Sequence, residues 1–420
     1  MIARPGPGFR AVAGVGINFS SNGLVFAALL PWYPSMVEKL GLSSWEFGLI
    51  VGSFALGAIA SSVMPATLIS RFGANSVIVG STVLLGASAA LTAWSVNGWM
   101  MAACLFLVGF FDAIADVAQN VVGIAVQESL SRTILSSMHA LWSLGGLLSG
   151  AAATFAASVG MDVRAHMGIV AIVAVMLVIL ARRMVGRLGE TRHSEESARA
   201  GHEVLVDEEA DVDEDASNGE PTSAGAFSRS KRAIVLMALP LAIVAVCGTA
   251  LEDIANNWAA LAAVELGGLS VTSAGIAFSI VIGSQCLGRF SGDLLVQRFG
   301  PRRIARLGGV FITLGGVAVV ASVEPVMLLL GLAMIGYGSA TLVPGALSAA
   351  SQIPGVGRAA GVTLVNWIMR IGFLATSPLV GVVAAVGGLR WGLSLLILVG
   401  LITMIFAGRL GPSKDSITPV

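Results

Sequence analysis

The sequence predicts an all-α membrane protein of twelve transmembrane helices in two six-helix halves, and three observations lead to this prediction. About twelve apolar stretches follow one another along the chain, each close to the roughly 20 residues that a helix needs to cross a bilayer. Hydrophobic residues make up 56% of the chain and charged residues 11%, whereas soluble domains carry about 25% charged residues. An acidic polar segment divides the apolar stretches near the middle of the chain.

Breaker sequences separate the spans, among them GLSS at 41–44, SVNG at 95–98 and glycine pairs at 267–268 and 387–388. Glycine, serine and asparagine clusters of this kind favour turns between periodic segments. In the first half the predicted spans are 11–36, 44–68, 74–95, 98–126, 134–158 and 164–186. In the second half they are 232–263, 271–295, 302–322, 325–351, 358–386 and 389–409.

The distribution of basic residues predicts the orientation. With both termini in the cytoplasm, 19 of the 24 lysines and arginines fall on the cytoplasmic side. Only Lys39, Arg164 and Arg390 fall outside, while Arg289 and Arg370 lie within spans. Cytoplasmic loops carry an excess of basic residues, so we expect cytoplasmic termini in a multi-pass plasma-membrane protein.

The acidic segment predicts the domain organisation. Twelve of the 24 acidic residues lie between Glu190 and Glu220, and such a self-repelling segment without apolar periodicity is typical of disorder. We therefore expect a six-helix bundle at 1–186, a disordered cytoplasmic linker at 187–231, and a second six-helix bundle at 232–420.

The two halves also repeat a loop. ISRFG at 69–73 contains Arg71 and Gly73, and VQRFG at 296–300 contains Arg298 and Gly300. Two repeated halves of this kind place a substrate site at their interface near the middle of the membrane.

The fourth span carries Asp112, Asp116 and Asn120 at intervals of four residues. At 100° per residue these three positions share one helix face. A partly desolvated carboxylate on such a face can take up a proton on one side of the membrane and release it on the other, and charges at this depth are costly unless they serve a function. Asp116 is the predicted proton carrier, with Asp112 and the possible proton relay His139 beside it; a fixed ion pair and a packing histidine are the structural alternatives.

The seventh span carries Glu252, Asp253, Asn256, Asn257 and Trp258. Glu252 shares a face with Asn256, and Asp253 shares a face with Asn257, so we expect one pair to face the cavity and favour Glu252 with Asn256. Carboxylates and amides bind hydroxyl groups, and tryptophan stacks on the apolar face of a sugar ring. The alternative is a water-exposed cluster at the outer end.

The eleventh span carries Asn366 and Arg370 on one face. A buried arginine needs an acidic partner or an anionic ligand. We expect Glu252 or Asp116 as the partner, with a substrate carboxylate or phosphate as the alternative, and interhelical packing as the alternative for Asn366. The predicted substrate-binding residues are Asn22, Asn120, Trp142, Glu252, Asn256, Trp258, Asn366 and Arg370.

The segment GRFSGDLLVQRFGPRR at 288–303 resembles the loop signature of the major facilitator superfamily, a Gly-rich turn ending in Asp-Arg-x-Gly-Arg-Arg. The first copy departs from it, with Ser70 in place of the usual Asp and Ala74-Asn75 in place of the basic pair. DVAQN at 116–120, VQE at 126–128 and HALWSLG at 139–145 resemble the fucose-permease-like group. The resemblance implies the major facilitator fold and places Asp116 where sugar–proton symporters have a protonatable carboxylate. Some of those symporters carry a second acid on helix 1, where this chain has Asn18 and Asn22.

The resemblance also implies gating residues. Arg289 and Asp293, with Arg298, Arg302 and Arg303, resemble a latch between the halves, and Glu128 with Arg132 resembles a similar pair. The loop residues Arg71, Gly73 and Gly300 belong to the same predicted gate.

The sequence contains no GxxxxGK[ST], HExxH or CxxC motif, so we expect no enzymatic activity, nucleotide, metal or other cofactor. The predicted function is proton symport of a small polar solute, a sugar or related metabolite, by a bacterial transporter. The predicted partners are that solute, protons and the lipid bilayer, without nucleic acid, and we expect a monomer. A proton-antiport exporter of drugs or metabolites is the alternative, and a non-transporting sensor or scaffold is a third hypothesis.

Overall fold

The computed structural model describes residues 7–130, 134–186, 223–350 and 358–410, and within these ranges the structure is helical and has no strand. The predicted linker at 187–231 lies outside these ranges as far as residue 222. The helix that follows begins at Ser223, ahead of the predicted start of the second half at 232.

In the first half, proline residues divide the first predicted span. Helix α1 runs Pro7–Ala28, a 3₁₀ turn containing Pro31 follows at Leu30–Trp32, and α2 runs Tyr33–Leu40. The second predicted span is also divided, into α3 (Ser44–Ala60) and α4 (Met64–Phe72), which are bent by 55° relative to each other. The remaining helices of this half are α5 (Ala74–Thr92), α6 (Gly98–Leu130), α7 (Leu135–Ser158) and α8 (Val163–Val185).

The second half begins with the long helix α9 (Ser223–Glu265). It continues through α10 (Gly275–Phe299), α11 (Pro301–Ala321), α12 (Pro325–Ser339) and α13 (Leu342–Ala350). The last elements are α14 (Arg358–Gly387), α15 (Leu389–Leu393), α16 (Leu395–Phe406) and a 3₁₀ turn at Ala407–Arg409.

Each of the twelve predicted spans overlaps helix, but fewer helices satisfy the length and hydropathy expected of a membrane span. In the described residues ten do so, or up to eleven when the bent pair α3 and α4 counts as one. Helix α10 is not among them; Gln285 and Arg289 lower its hydropathy, and both belong to the central site described below. The all-helical membrane class is confirmed, while the count of twelve spans and the cytoplasmic termini stay predictions.

The two halves pack against each other through α3 with α14 and α7 with α10. Helix α3 approaches α14 closely at Gly48, where an added Cβ would lie 2.6 Å from the Ser377 carbonyl oxygen and 3.0 Å from the Gly381 Cα. Small residues permit such backbone approach in a membrane interior. This contact, with Tyr33, Phe47 and Trp258 beside it, lies at the predicted outer end of the spans, and we call it the outer seam.

Candidate functional site

Helix α6 presents Asp116 and Asn120 on one face, as the sequence predicts. The Asn120 amide donates to the Asp116 carboxylate at 3.1 Å and to the Asp116 backbone carbonyl at 2.8 Å. Gln119, a residue that the sequence analysis missed, also donates to this carboxylate at 3.2 Å. Asp116 is half-buried and is held here by amide groups of its own helix.

Asp112 belongs to a separate chain of hydrogen bonds that joins three helices of the first half. The Asn22 amide of α1 donates to the Asp112 carboxylate at 2.8 Å. The Trp142 indole of α7 donates to the Asn22 side-chain oxygen at 2.6 Å. Two of the predicted binding residues are thereby fixed around one of the predicted proton-binding residues.

Arg289 of α10 joins the two halves. Its guanidinium forms an ion pair with Glu252 of α9 at 2.9 Å and donates to the Ser143 hydroxyl of α7 at 2.5 Å. Gln285, four residues before Arg289, donates to the same Glu252 oxygen at 2.7 Å. The side chains of Arg289 and Glu252 are 24% and 27% exposed, so the ion pair is only partly accessible to water.

His139 of α7 lies between Asp116 and the Arg289 ion pair. Its side chain is exposed, its ring packs edge-on against Phe19 with centroids 5.2 Å apart, and it interacts electrostatically with Asp116 and Arg289. Charged and titratable groups therefore extend from α6 through α7 to α10 and α9.

A cavity with about 520 Å³ of empty volume, part of it open space, lies above this network towards the outer seam. Most of its lining is apolar or aromatic, including Phe26, Phe54 and Phe373. Its polar lining comes from Asp253, Asn256 and Asn257. Glu252 and Asn256, the pair predicted to face the cavity together, do not do so. Asn256 lines this cavity, whereas Glu252 binds Gln285 and Arg289.

Asp253 and Trp258 belong to the outer seam. The Asp253 carboxylate accepts hydrogen bonds from Asn257 at 2.7 Å and from the Ser377 hydroxyl of α14. The Trp258 indole donates to Ser377 at 3.3 Å, and the Trp258 side chain is 0% exposed. Trp258 is therefore not available to stack on a solute in this conformation.

Arg370 lies on the same face of α14 as Phe373 and Ser377, three and seven residues later. Phe373 lines the cavity, whereas Arg370, one turn away, is half-buried and is not among the described residues that line it. The expected partner Glu252 is occupied by Arg289 instead. Within the described part of the chain, no ion pair to Arg370 is found, and the side chain of Asn366 lies outside that part.

The predicted gating residues are spread over the predicted cytoplasmic side. Gly73 and Gly300 end α4 and α10 with φ of 78° and 84°, so the repeated loops share one backbone conformation. Arg71 and Arg298 each lie over the adjacent phenylalanine ring, Arg302 is half-buried, and Arg303 and Glu128 are exposed. Arg132 and the side chain of Asp293 lie outside the described residues. Arg289 lies in the central network described above.

Four residues of the site were not predicted from the sequence: Gln119, Ser143, Gln285 and Ser377. Gln285 carried a usable signal, because it stands four residues before Arg289 on one helix face in an otherwise apolar stretch. The two serines carried none, since serine is common in membrane helices and its partners lie on other helices.

The fold and this network define a multi-pass membrane protein of two helical halves with a polar site between them. The chain belongs to the Major Facilitator Superfamily, whose family model matches residues 15–283. It is thus a membrane transporter of this kind.

Its relatives are distant in sequence. An uncharacterised MFS-type transporter of Yersinia pestis is 22% identical over 384 residues, which cover 91% of each chain. Membrane protein MosC of Rhizobium meliloti is 24% identical over 394 residues, covering 93% of this chain and 88% of MosC.

Solved structures share the fold. A mutant of the nucleoside transporter NupG has a TM-score of 0.72 at 14% identity, covering 95% of this chain and 98% of that one. The D-xylose–proton symporter has a TM-score of 0.66 at 16% identity, covering 95% of this chain and 97% of that one.

Proposed function

We propose that this protein is a secondary active transporter of the plasma membrane that moves a small polar solute by alternating access and proton symport. We place it in the fucose-permease-like branch on the residues of α6 and α7 that resemble that group. The observation that carries the proposal is the Arg289 bridge, which joins Ser143 of one half to Glu252 of the other. A polar site at the interface of two repeated halves is where transporters of this architecture bind their solute.

The conformation supports alternating access. The halves pack tightly at the outer seam, where Gly48 meets the backbone of α14, while His139, nearer the predicted cytoplasmic end of α7, is exposed. A molecule packed closed at its predicted outer end represents one of the two states that an alternating-access cycle needs.

Asp116 is the proposed proton carrier. Its hydrogen bonds come from the neutral amides of Gln119 and Asn120, and among the described residues no ion pair fixes its charge. A half-buried carboxylate without a permanent counter-ion can change protonation during transport.

We expect Asp116→Asn to abolish solute-driven proton entry. In liposomes with a trapped pH dye, pooled sugars and organic acids should acidify the lumen with the native protein and leave it unchanged with the variant. Solute exchange between equal internal and external pools should continue, because exchange needs no net proton movement. Acidification by Asp116→Asn at the native rate would contradict the assignment.

Arg370 is the proposed anchor for a carboxylate or phosphate of the solute. Glu252 is already bound to Arg289, so the half-buried guanidinium of Arg370, one helical turn from the cavity-lining Phe373, is left to an anionic ligand. We expect Arg370→Gln to weaken binding of an anionic solute by roughly tenfold or more, since charged hydrogen bonds contribute about 1.5–3 kcal/mol. Solute-induced thermal stabilisation measures this, with Arg370→Lys as the control that keeps the charge. Equal binding by all three proteins would contradict the role.

One observation favours the alternative, a proton-antiport exporter. The cavity near the outer seam is lined mainly by apolar and aromatic side chains, which suit an amphipathic cargo. Cells that express the protein would then export dyes, and a protonophore would stop this efflux. That result would support the exporter over symport.

A further inference from the structure

The outer seam contains a buried carboxylate that the proposed transport site does not use. Asp253 is 3% exposed and points about 100° around α9 from Glu252, the residue that binds Arg289. It accepts hydrogen bonds from Asn257 and Ser377, which are neutral.

Residues of the first half cover this carboxylate when the seam is closed. Phe47 packs edge-on against Trp258 with ring centroids 5.1 Å apart, and Tyr33 packs against Phe47 at 5.3 Å. Trp258 is hydrogen-bonded to the same Ser377 that donates to Asp253. Parting α3 from α14 would therefore remove the aromatic cover from Asp253.

The charged groups around Asp253 offer no compensation. On its own helix, Glu252 is bound to Arg289. On α14, Arg370 lies seven residues away from Ser377, the residue that donates to Asp253. From the first half, the titratable residue Tyr33 is buried and lines the same cavity. The Glu46 carboxylate of α3 accepts hydrogen bonds from the backbone amide and the hydroxyl of Ser43. Within the described residues no cation forms an ion pair with Asp253, and an isolated ionised carboxylate in an apolar interior is strongly unfavourable.

We propose that the Asp253 carboxylate is a proton-binding site of the outer seam and that the seam closes only when this carboxylate carries a proton. With the seam open, water hydrates Asp253 and the ionised form is stable. A proton from the outer solution then binds a carboxylate oxygen, the seam closes, and the proton leaves to water in the cavity that Asp253 shares with Asn256. The inference deepens the proposed symport by adding a second protonation site, and its gating part can be tested without any solute.

The test measures the opening of the outer seam as a function of pH. Spin labels are placed at Val96→Cys and Val323→Cys, which are 75% and 81% exposed in loops at the predicted outer ends of the two halves. The buried native cysteines Cys104, Cys247 and Cys286 are replaced by serine. In lipid nanodiscs we expect the distance between the labels to increase as pH rises, because ionised Asp253 disfavours closure.

Asp253→Asn imitates the protonated form and should keep the short distance at every pH. Asp162→Asn is the matched control: this exposed carboxylate caps α8 by accepting from the Arg164 backbone amide, and the variant should follow the native pH response. Ser377→Ala keeps the carboxylate but removes one donor to its ionised form, so closure should persist to higher pH. A native protein insensitive to pH, or an Asp253→Asn variant that follows the native curve, would overturn the proposal.

The two proposals fail in different ways. If solute entry brings protons into liposomes while the distance between the spin labels does not change with pH, proton symport is supported and the proposed role of Asp253 is wrong. If the seam responds to pH through Asp253 while no proton accompanies any solute, the gate stands and proton symport is wrong.

Discussion

Replacing Gly48 by alanine is expected to prevent closure of the outer seam and to reduce transport severely. The new Cβ would lie 2.6 Å from the Ser377 carbonyl oxygen and 3.0 Å from the Gly381 Cα, and both are backbone atoms that cannot turn aside. Overpacking of this kind costs about 1–3 kcal/mol, which lowers the population of the closed state by about 5–150-fold. Solute uptake should fall accordingly, and the two spin labels described above should move apart at all pH values.

The control for this variant is Gly80→Ala on α5, where an added Cβ meets nothing within 4 Å. Both substitutions replace a helical glycine by a better helix former, worth about 1 kcal/mol, so weaker helix formation cannot explain a loss confined to position 48. Native uptake by Gly48→Ala would mean that the seam is not part of the transport cycle.

Replacing Arg289 by glutamine is expected to destabilise the protein and to stop transport. The variant would leave the Glu252 carboxylate with Gln285 as its remaining described partner and would remove the bond to Ser143 across the halves. Leaving one member of a buried ion pair uncompensated typically costs about 3–5 kcal/mol of stability. Because this pair is partly exposed to water, we expect a loss of about 3 kcal/mol or less. Thermal unfolding in detergent measures the loss of stability, and liposome uptake measures the loss of function.

A double-mutant cycle separates the ion pair from the individual side chains. Glu252→Gln combined with Arg289→Gln removes both charges, so we expect the double variant to be more stable than the sum of the single losses predicts. Transport should stay low in the double variant, because the charge that connects the halves is gone. Strictly additive losses of stability would contradict the coupling of Glu252 with Arg289.

The fold class could be predicted because span hydropathy is a local property of the chain. A helix in lipid must satisfy its backbone hydrogen bonds internally and present apolar side chains, so each span is visible in its own residues. The breaks within spans were harder to predict. Pro31 and Pro34 interrupt the first span and Pro65 opens α4, and these residues could have indicated breaks. The Ser61–Val63 turn itself contains neither proline nor glycine, so Pro65 is the mark of the 55° bend between α3 and α4.

The ionisable residues within the spans can be identified from the chain alone, because they interrupt otherwise apolar stretches. Their high cost in an apolar medium makes each one a functional candidate. The chain alone also places Asp116 and Asn120 on one face, because that follows from helix periodicity. The packing of the helices sets the rest: Glu252 binds Arg289 rather than Arg370, and Asp253 turns to the seam while Glu252 turns to the centre. The physical reason is that such pairings depend on how packing rotates each helix against its neighbours, and no spacing within one helix specifies that rotation.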